Sequence, residues 1–213
     1  MSSDESEFMP ASSPSLFVIT GGPGAGKTAL IDALAVKGFA VVPEAGRQII
    51  REQKSTDETA THDGDRLAYR RLMFEREMES YAKMAAAAGP VFFDRGLPDL
   101  IGYSYLIGAA VPAWLDQAVR RCRYNKTIFI APPWPEIYGT DDERKQGFAE
   151  AVATHDAMCV AYEEAGYRLC ELPLSTVADR IRFVLDHIQA GGTSIAQSGN
   201  TPGSISKTSG PSA

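Results

Sequence analysis

The sequence is short of cysteine, of histidine and of basic charge, and it has no long apolar run. Each shortage closes off a class of function. Cysteines number three in 213 residues, at Cys122, Cys159 and Cys170. An odd count without CxxC spacing argues against a disulfide framework and against a zinc site, and it fits a reducing compartment. His62 and His155 stand apart from any ligand-like cluster. Acidic residues outnumber basic ones by 27 to 21, for a net charge of -6. No overall basic field therefore draws the chain to nucleic acid or anionic lipid. No window reaches the ~18 apolar residues of a membrane helix. The opening segment MSSDESEFMPASSPS has neither the basic start nor the apolar core of a signal peptide. Together these absences predict a cytoplasmic protein with no membrane span and no nucleic-acid partner.

What remains is an ordinary globular composition, 44% apolar and 23% charged, long enough for one domain with a useful core. No internal repeat is present. Residues 1–14 and 191–213 are rich in Ser, Gly, Thr and Pro, and are predicted to be disordered tails around a domain at 15–190. Within that domain, five short apolar runs read as strands buried on both faces. They are Leu16–Thr20, Phe39–Val42, Val91–Asp94, Thr127–Ala131 and Tyr167–Leu172. Helical patterns separate them, at Lys27–Val36, Ala45–Lys54, Asp65–Ala88, Leu97–Ile107, Pro112–Arg123, Phe148–Ala165 and Thr176–Gln189. In the longest, Leu67, Phe74, Met78, Tyr81 and Ala85 form a helical stripe, and Gly89-Pro90 ends it. Strands alternating with helices imply right-handed βαβ units and a parallel sheet, whose ligands lie beyond the carboxyl ends of the strands.

The segment that follows the first strand decides the chemistry. Gly21-Gly22-Pro23-Gly24-Ala25-Gly26-Lys27-Thr28 fits G-x-x-x-x-G-K-[ST], between an apolar strand and a helix. The glycines let backbone amides turn inward around phosphate oxygens, and the helix N-terminus adds its positive end. Lys27 is expected to reach the β- and γ-phosphates, and the Thr28 hydroxyl to ligate Mg²⁺. The expected ligand is ATP or GTP with magnesium.

Two acids follow other strands. Asp94 closes Val91-Phe92-Phe93, where a short carboxylate either holds Mg²⁺ or its water shell or caps the next helix. Arg95 then either aims its fork-shaped donor at phosphate or acceptor, or pairs with Glu44 or Asp94. Glu44, after Phe39–Val42, is a general base for an acceptor hydroxyl, a neighbour of magnesium, or an acid at the start of the next helix. Arg47, one turn on, joins this cluster or is solvated. After the fourth strand, Pro132–Lys145 is long, irregular and charged. It reads as a lid in which Arg144, and less clearly Lys145, supplies charge to a transferring phosphoryl group, or as a solvated charge run. Arg66, Arg70 and Arg71 read better as a solvated helix face than as pocket residues. Trp114 reads as packing, and Trp134 as a surface for stacking on a ring. Base preference is expected in the short loop Pro173–Thr176.

The phosphate loop, V-V-P-E-A-G-R, F-F-D-R-G-L-P-D and P-P-W-P-E-I-Y-x-x-D-x-E-R together resemble a small P-loop family, over about residues 15–188. That family includes the nicotinamide riboside kinase domain of NadR and is commonly labelled an AAA-type ATPase domain. The resemblance implies a three-layer α/β/α fold with a five-stranded parallel sheet of order 2-3-1-4-5. It also implies ATP or GTP as donor, Glu44 and Asp94 near magnesium and acceptor, and Arg144 in the lid. It leaves the small-molecule acceptor and the oligomeric state unspecified. Two function classes follow: a kinase acting on a hydroxyl acceptor, or a nucleotide-dependent switch with slow or no turnover.

Overall fold

The five apolar runs become the five strands of one sheet. In a computed structural model that describes residues 13–56, 58–138 and 147–196, these are β1 Leu16–Gly21, β2 Ala40–Val42, β3 Val91–Asp94, β4 Thr127–Ala131 and β5 Arg168–Glu171. The spatial order is β2-β3-β1-β4-β5, and every neighbouring pair is parallel. β1 lies at the centre, with Ile19 level with Asp94 on one side and Gly21 level with Ala131 on the other. The carboxyl ends of β1, β3 and β4 therefore finish together along one edge of the sheet.

The helices are α1 Lys27–Val36, α2 Ala45–Thr56, α3 Arg66–Met84, α4 Leu97–Leu106, α5 Ala113–Arg121, α6 Phe148–Glu164 and α7 Val177–Ala196, with a 3-10 turn at Pro135–Ile137. Side chains alternate across each strand, so β1 feeds two cores. Leu16 and Val18 join Phe93, Leu97, Leu115 and Tyr162 on the face covered by α2 to α6. Phe17 and Ile19 join Leu30, Ile31 and Leu34 of α1 and Ile181 and Val184 of α7 on the other. Every residue of β1 and β3 is buried, which is why these strands read as continuous apolar runs.

Local chemistry sets the helix starts. Asp65 caps α3 by accepting from the amides of Leu67 and Ala68 at 3.1 and 2.9 Å. At α4 the capping carboxylate is Asp99, which accepts from the Gly96 amide at 2.9 Å. Asp94 is thereby released from the capping role that its place before Pro98 suggested. The last helix runs to Ala196, past the boundary at 190 drawn from composition, because each added residue closes one more backbone hydrogen bond on a helix already formed. Among the described residues no helix is long and apolar enough to cross a membrane.

Candidate active site

β1 hands the chain to the phosphate loop, and two of its glycines are there for stated reasons. Gly21 has φ 128°, and a Cβ on it would collide with the carbonyl of Ala131 in β4. Gly24 has φ 73°, and a Cβ would lie 2.6 Å from the Tyr138 ring. The Lys27 ammonium folds back along the loop and donates to the carbonyls of Gly21 at 3.0 Å and Gly22 at 2.6 Å. Burial, helped by the Arg95 charge, pulls this lysine down to about 8, against the opposing pull of Asp94, Glu44 and Asp99. A buried ammonium beside a glycine-rich loop at a helix N-terminus is suited to a polyphosphate. The cavity in front of it, about 240 Å³, is lined by residues 24–29 of the loop, Arg47 and Ile137.

The acids expected from the sequence converge on Lys27. Glu44, just past β2, places Oε1 3.0 Å from Arg95 Nε and Oε2 2.9 Å from Arg47 Nε. Burial alone would raise its carboxyl, but Arg95, Lys27 and Arg47 together outweigh burial and hold it at about 2. Asp94, at the end of β3, is 3% exposed. Burial pushes its carboxyl up to about 6, with Glu44 adding to the rise and Lys27 and Arg95 opposing it. Its Oδ1 has no hydrogen-bond partner among the described residues, an orphaned buried oxygen that fits a cation or its bound water. No cluster of three or more His, Cys, Asp or Glu side chains suited to a metal is present among the described residues. Magnesium would be held here as it prefers, by one or two protein oxygens, those of Asp94 and Thr28, with phosphates and water completing its shell.

Arg95 joins the two acidic positions. It is the single non-glycine residue described with positive φ, 77°, a strained backbone that surrounding contacts must hold. Its Nε meets Glu44 and its Nη1 meets Asp99 Oδ1 at 3.0 Å. Pairing with Glu44 was one of the two readings available for it from the sequence; the second carboxylate is Asp99, not Asp94. Asp99 itself, 4% exposed, also accepts from Thr20, from the Gly96 amide and from the Tyr162 hydroxyl at 2.6 Å. Behind this group sits Glu77 of α3, 4% exposed, with Oε2 unpartnered among the described residues. Burial, then the Asp99, Asp94 and Glu44 charges, raise its carboxyl well above the usual range.

On the far side of the loop, Arg180 of α7 is 1% exposed. It donates to Ala25 O at 2.7 Å and Pro173 O at 2.8 Å, and its guanidinium lies 4.7 Å over the Trp134 ring. It thereby ties the phosphate loop to the loop after β5, where base preference was expected. Trp134 stacks on this arginine. Asp99, Glu77, Tyr162 and Arg180 were not singled out from sequence; for Asp99 the signal was the D-R-G-L-P-D spacing that lets it cap α4. Arg70 departs from the expected solvated face. It is buried and donates to Ser104 Oγ at 2.8 Å and Ala110 O at 3.0 Å, fastening α3 to α4 and the loop after it. Arg71 is exposed and paired with Glu75, and Trp114 packs on Phe74 at 4.4 Å, both as expected. Arg144 and Lys145 lie outside the described residues.

A family model described as an AAA domain matches residues 16–180. The chain belongs to this AAA-domain family. Its P-loop kinase-like fold recurs in solved structures. A thymidylate kinase from Ehrlichia chaffeensis is 17% identical with a TM-score of 0.56, over 83% of this chain and 100% of that one. A deoxyadenosine kinase from M. mycoides with bound dATP is 13% identical with a TM-score of 0.56, over 82% and 99%. A NadR protein in complex with NR is 17% identical with a TM-score of 0.60, over 85% of this chain and 52% of that one. No curated protein sequence matches the chain.

Proposed function

We propose that the protein is a kinase that moves the γ-phosphoryl group of ATP or GTP to the hydroxyl of a small acceptor. The observation that carries this reading is the position of Glu44. A carboxylate gripped by two arginines stands at a strand end within the electrostatic reach of Lys27, at the edge of the sheet where the phosphate loop opens. The structural likeness to kinases supports it at the level of fold.

Lys27 and the loop amides bind the β- and γ-phosphates. Thr28 and Asp94 would hold magnesium, which would supply positive charge to offset that on the phosphate oxygens. Glu44 orients the acceptor hydroxyl. As that oxygen bonds to the γ-phosphorus and the bridge to the diphosphate breaks, the hydroxyl proton passes to Glu44. A carboxylate held near 2 is a weak base. It stays ionised, which suits a loose phosphoryl transition state where positioning matters more than early proton removal. Arg47, half in solvent, and Arg95 supply positive charge beside the transferring group.

The test is incubation with ATP or GTP, magnesium and a panel of nucleosides, nucleotides and vitamins, reading diphosphate formation. Turnover that depends on one acceptor class is expected. Diphosphate release unaffected by every acceptor would leave a nucleotide switch or simple NTPase instead.

A further inference from the structure

We infer that Asp99 is a positioning residue that holds the Arg95 guanidinium against Glu44. The inference rests on the kinase reading above and adds to it the group that keeps its base in place. A helix cap needs one hydrogen bond from the carboxylate, and the Gly96 amide supplies it at 2.9 Å. Asp99 makes three more. Oδ1 accepts from the Thr20 hydroxyl of β1 and from Arg95 Nη1 at 3.0 Å; Oδ2, already serving the Gly96 amide, also accepts from the Tyr162 hydroxyl of α6 at 2.6 Å. A carboxylate offers about four lone-pair positions, so all are used and the group has one orientation. The three donors beyond the cap come from β1, from α6 and from the Arg95 guanidinium itself, groups that no capping role would recruit.

The arginine needs such a support. Its backbone is in the left-handed region, which L side chains adopt at a cost, and a long flexible side chain placed there has many rotamers. Asp99 fixes one end of the fork through Nη1 and leaves Nε to Glu44. Asp99 does not touch the reacting atoms. It acts through Arg95.

The experiment combines Asp99→Asn, Arg95→Ala and the double variant, with Tyr162→Phe as a milder perturbation of the same carboxylate should Asp99→Asn fold poorly. Calorimetry with magnesium and ATP or GTP is expected to give an affinity close to wild type for Asp99→Asn and Tyr162→Phe, neither of which supplies a donor to the phosphates, and a weaker one for Arg95→Ala and the double variant, which lose a charge that acts on Lys27. Transfer at saturating substrates is expected to fall about 100-fold in Asp99→Asn, the scale of a misplaced catalytic contact, and by less in Tyr162→Phe. In the double variant the loss is expected to match Arg95→Ala alone, since both changes break one chain of contacts. Fully additive losses, or wild-type transfer in Asp99→Asn, would overturn the assignment. A readout free of activity is the exchange of the Arg95 Nε–H in ¹⁵N-labelled protein: slow in wild type, fast in Asp99→Asn and intermediate in Tyr162→Phe. If wild type transfers to no acceptor but this protection is present and lost in Asp99→Asn, the kinase reading fails and the positioning role stands. If exchange is the same in all three, the positioning role fails.

Discussion

The phosphate loop and the acid–arginine cluster share one edge of the sheet but are built by different means. The loop is eight consecutive residues whose donors are backbone amides and one ammonium, and its geometry follows from glycine torsions and the strand-to-helix turn. The cluster gathers Glu44 after β2, Asp94 at the end of β3, Glu77 from α3 and Arg95 with Asp99 at the start of α4. There Arg95 bridges two of the acids, Glu44 and Asp99, across the fold. Even the arginines differ. Arg95 has two carboxylate partners, whereas Arg180 has two carbonyls and an indole face and forms no ion pair among the described residues. In the proposed reaction the first would serve the electrostatics of transfer; the second braces a loop. The lesson is that substitutions on the two sides are expected to separate nucleotide binding from phosphoryl transfer.

The largest effect is expected from Lys27→Ala, which should weaken nucleotide binding and lower transfer about 10³-fold, as for loss of a preorganised cationic donor. Acceptor-dependent turnover at the wild-type rate would break the comparison on the donor side. Glu44→Gln should leave nucleotide affinity unchanged and lower transfer about 10²-fold, the low end for loss of a general base. Equal transfer rates in a stopped assay would remove Glu44 from the mechanism.

The cluster also makes a pH prediction. The folded Asp94 carboxyl, at about 6, lies above its ordinary value of 3.8. Between those values the folded chain binds more protons than the unfolded one, so this group's contribution to stability falls as pH rises from about 4 to about 6. Above that it costs up to about 3 kcal/mol, taking ~1.4 kcal/mol for each pH unit of the rise. Asp94→Asn should therefore raise Tm at pH 7 and leave it unchanged near pH 4. Glu44 has the opposite sign, since its folded value of about 2 lies below 4.5. Its contribution is present above 4.5 and is lost as pH falls toward 2. A thermal scan in which Asp94→Asn melts below wild type at pH 7 would refute the strained-carboxyl account.

Smallest of all, Trp134→Ala should weaken nucleotide binding a few-fold through Arg180, in line with ~0.5–2 kcal/mol for a cation over an aromatic face. A change in transfer rate with unchanged nucleotide affinity would place Trp134 on the wrong side of the comparison.

The two regions also differed in how much could be read from sequence. Gly21–Thr28 and the strand that leads into it were legible because motif, strand and helix are contiguous. Asp94 and Glu44 were legible because strand ends mark the ligand edge of a parallel sheet. Arg95 could be read two ways, because a guanidinium serves phosphate and carboxylate with the same fork. Asp99 was hidden: its partners Thr20 and Tyr162 are 79 and 63 residues away. Glu77 and Arg180 were not singled out, because their places depend on α3 packing against the cluster and on α7 reaching the carbonyl of Ala25, 155 residues away. Pairings this distant in sequence depend on the fold as a whole, and no local pattern announces them.

The most direct test is calorimetric titration of ATP and GTP, with magnesium, into wild type, Lys27→Ala and Glu44→Gln. Wild type and Glu44→Gln are expected to bind at least one triphosphate with the same affinity, and Lys27→Ala to bind far more weakly. A folded wild-type chain that binds neither triphosphate would contradict the account at its base.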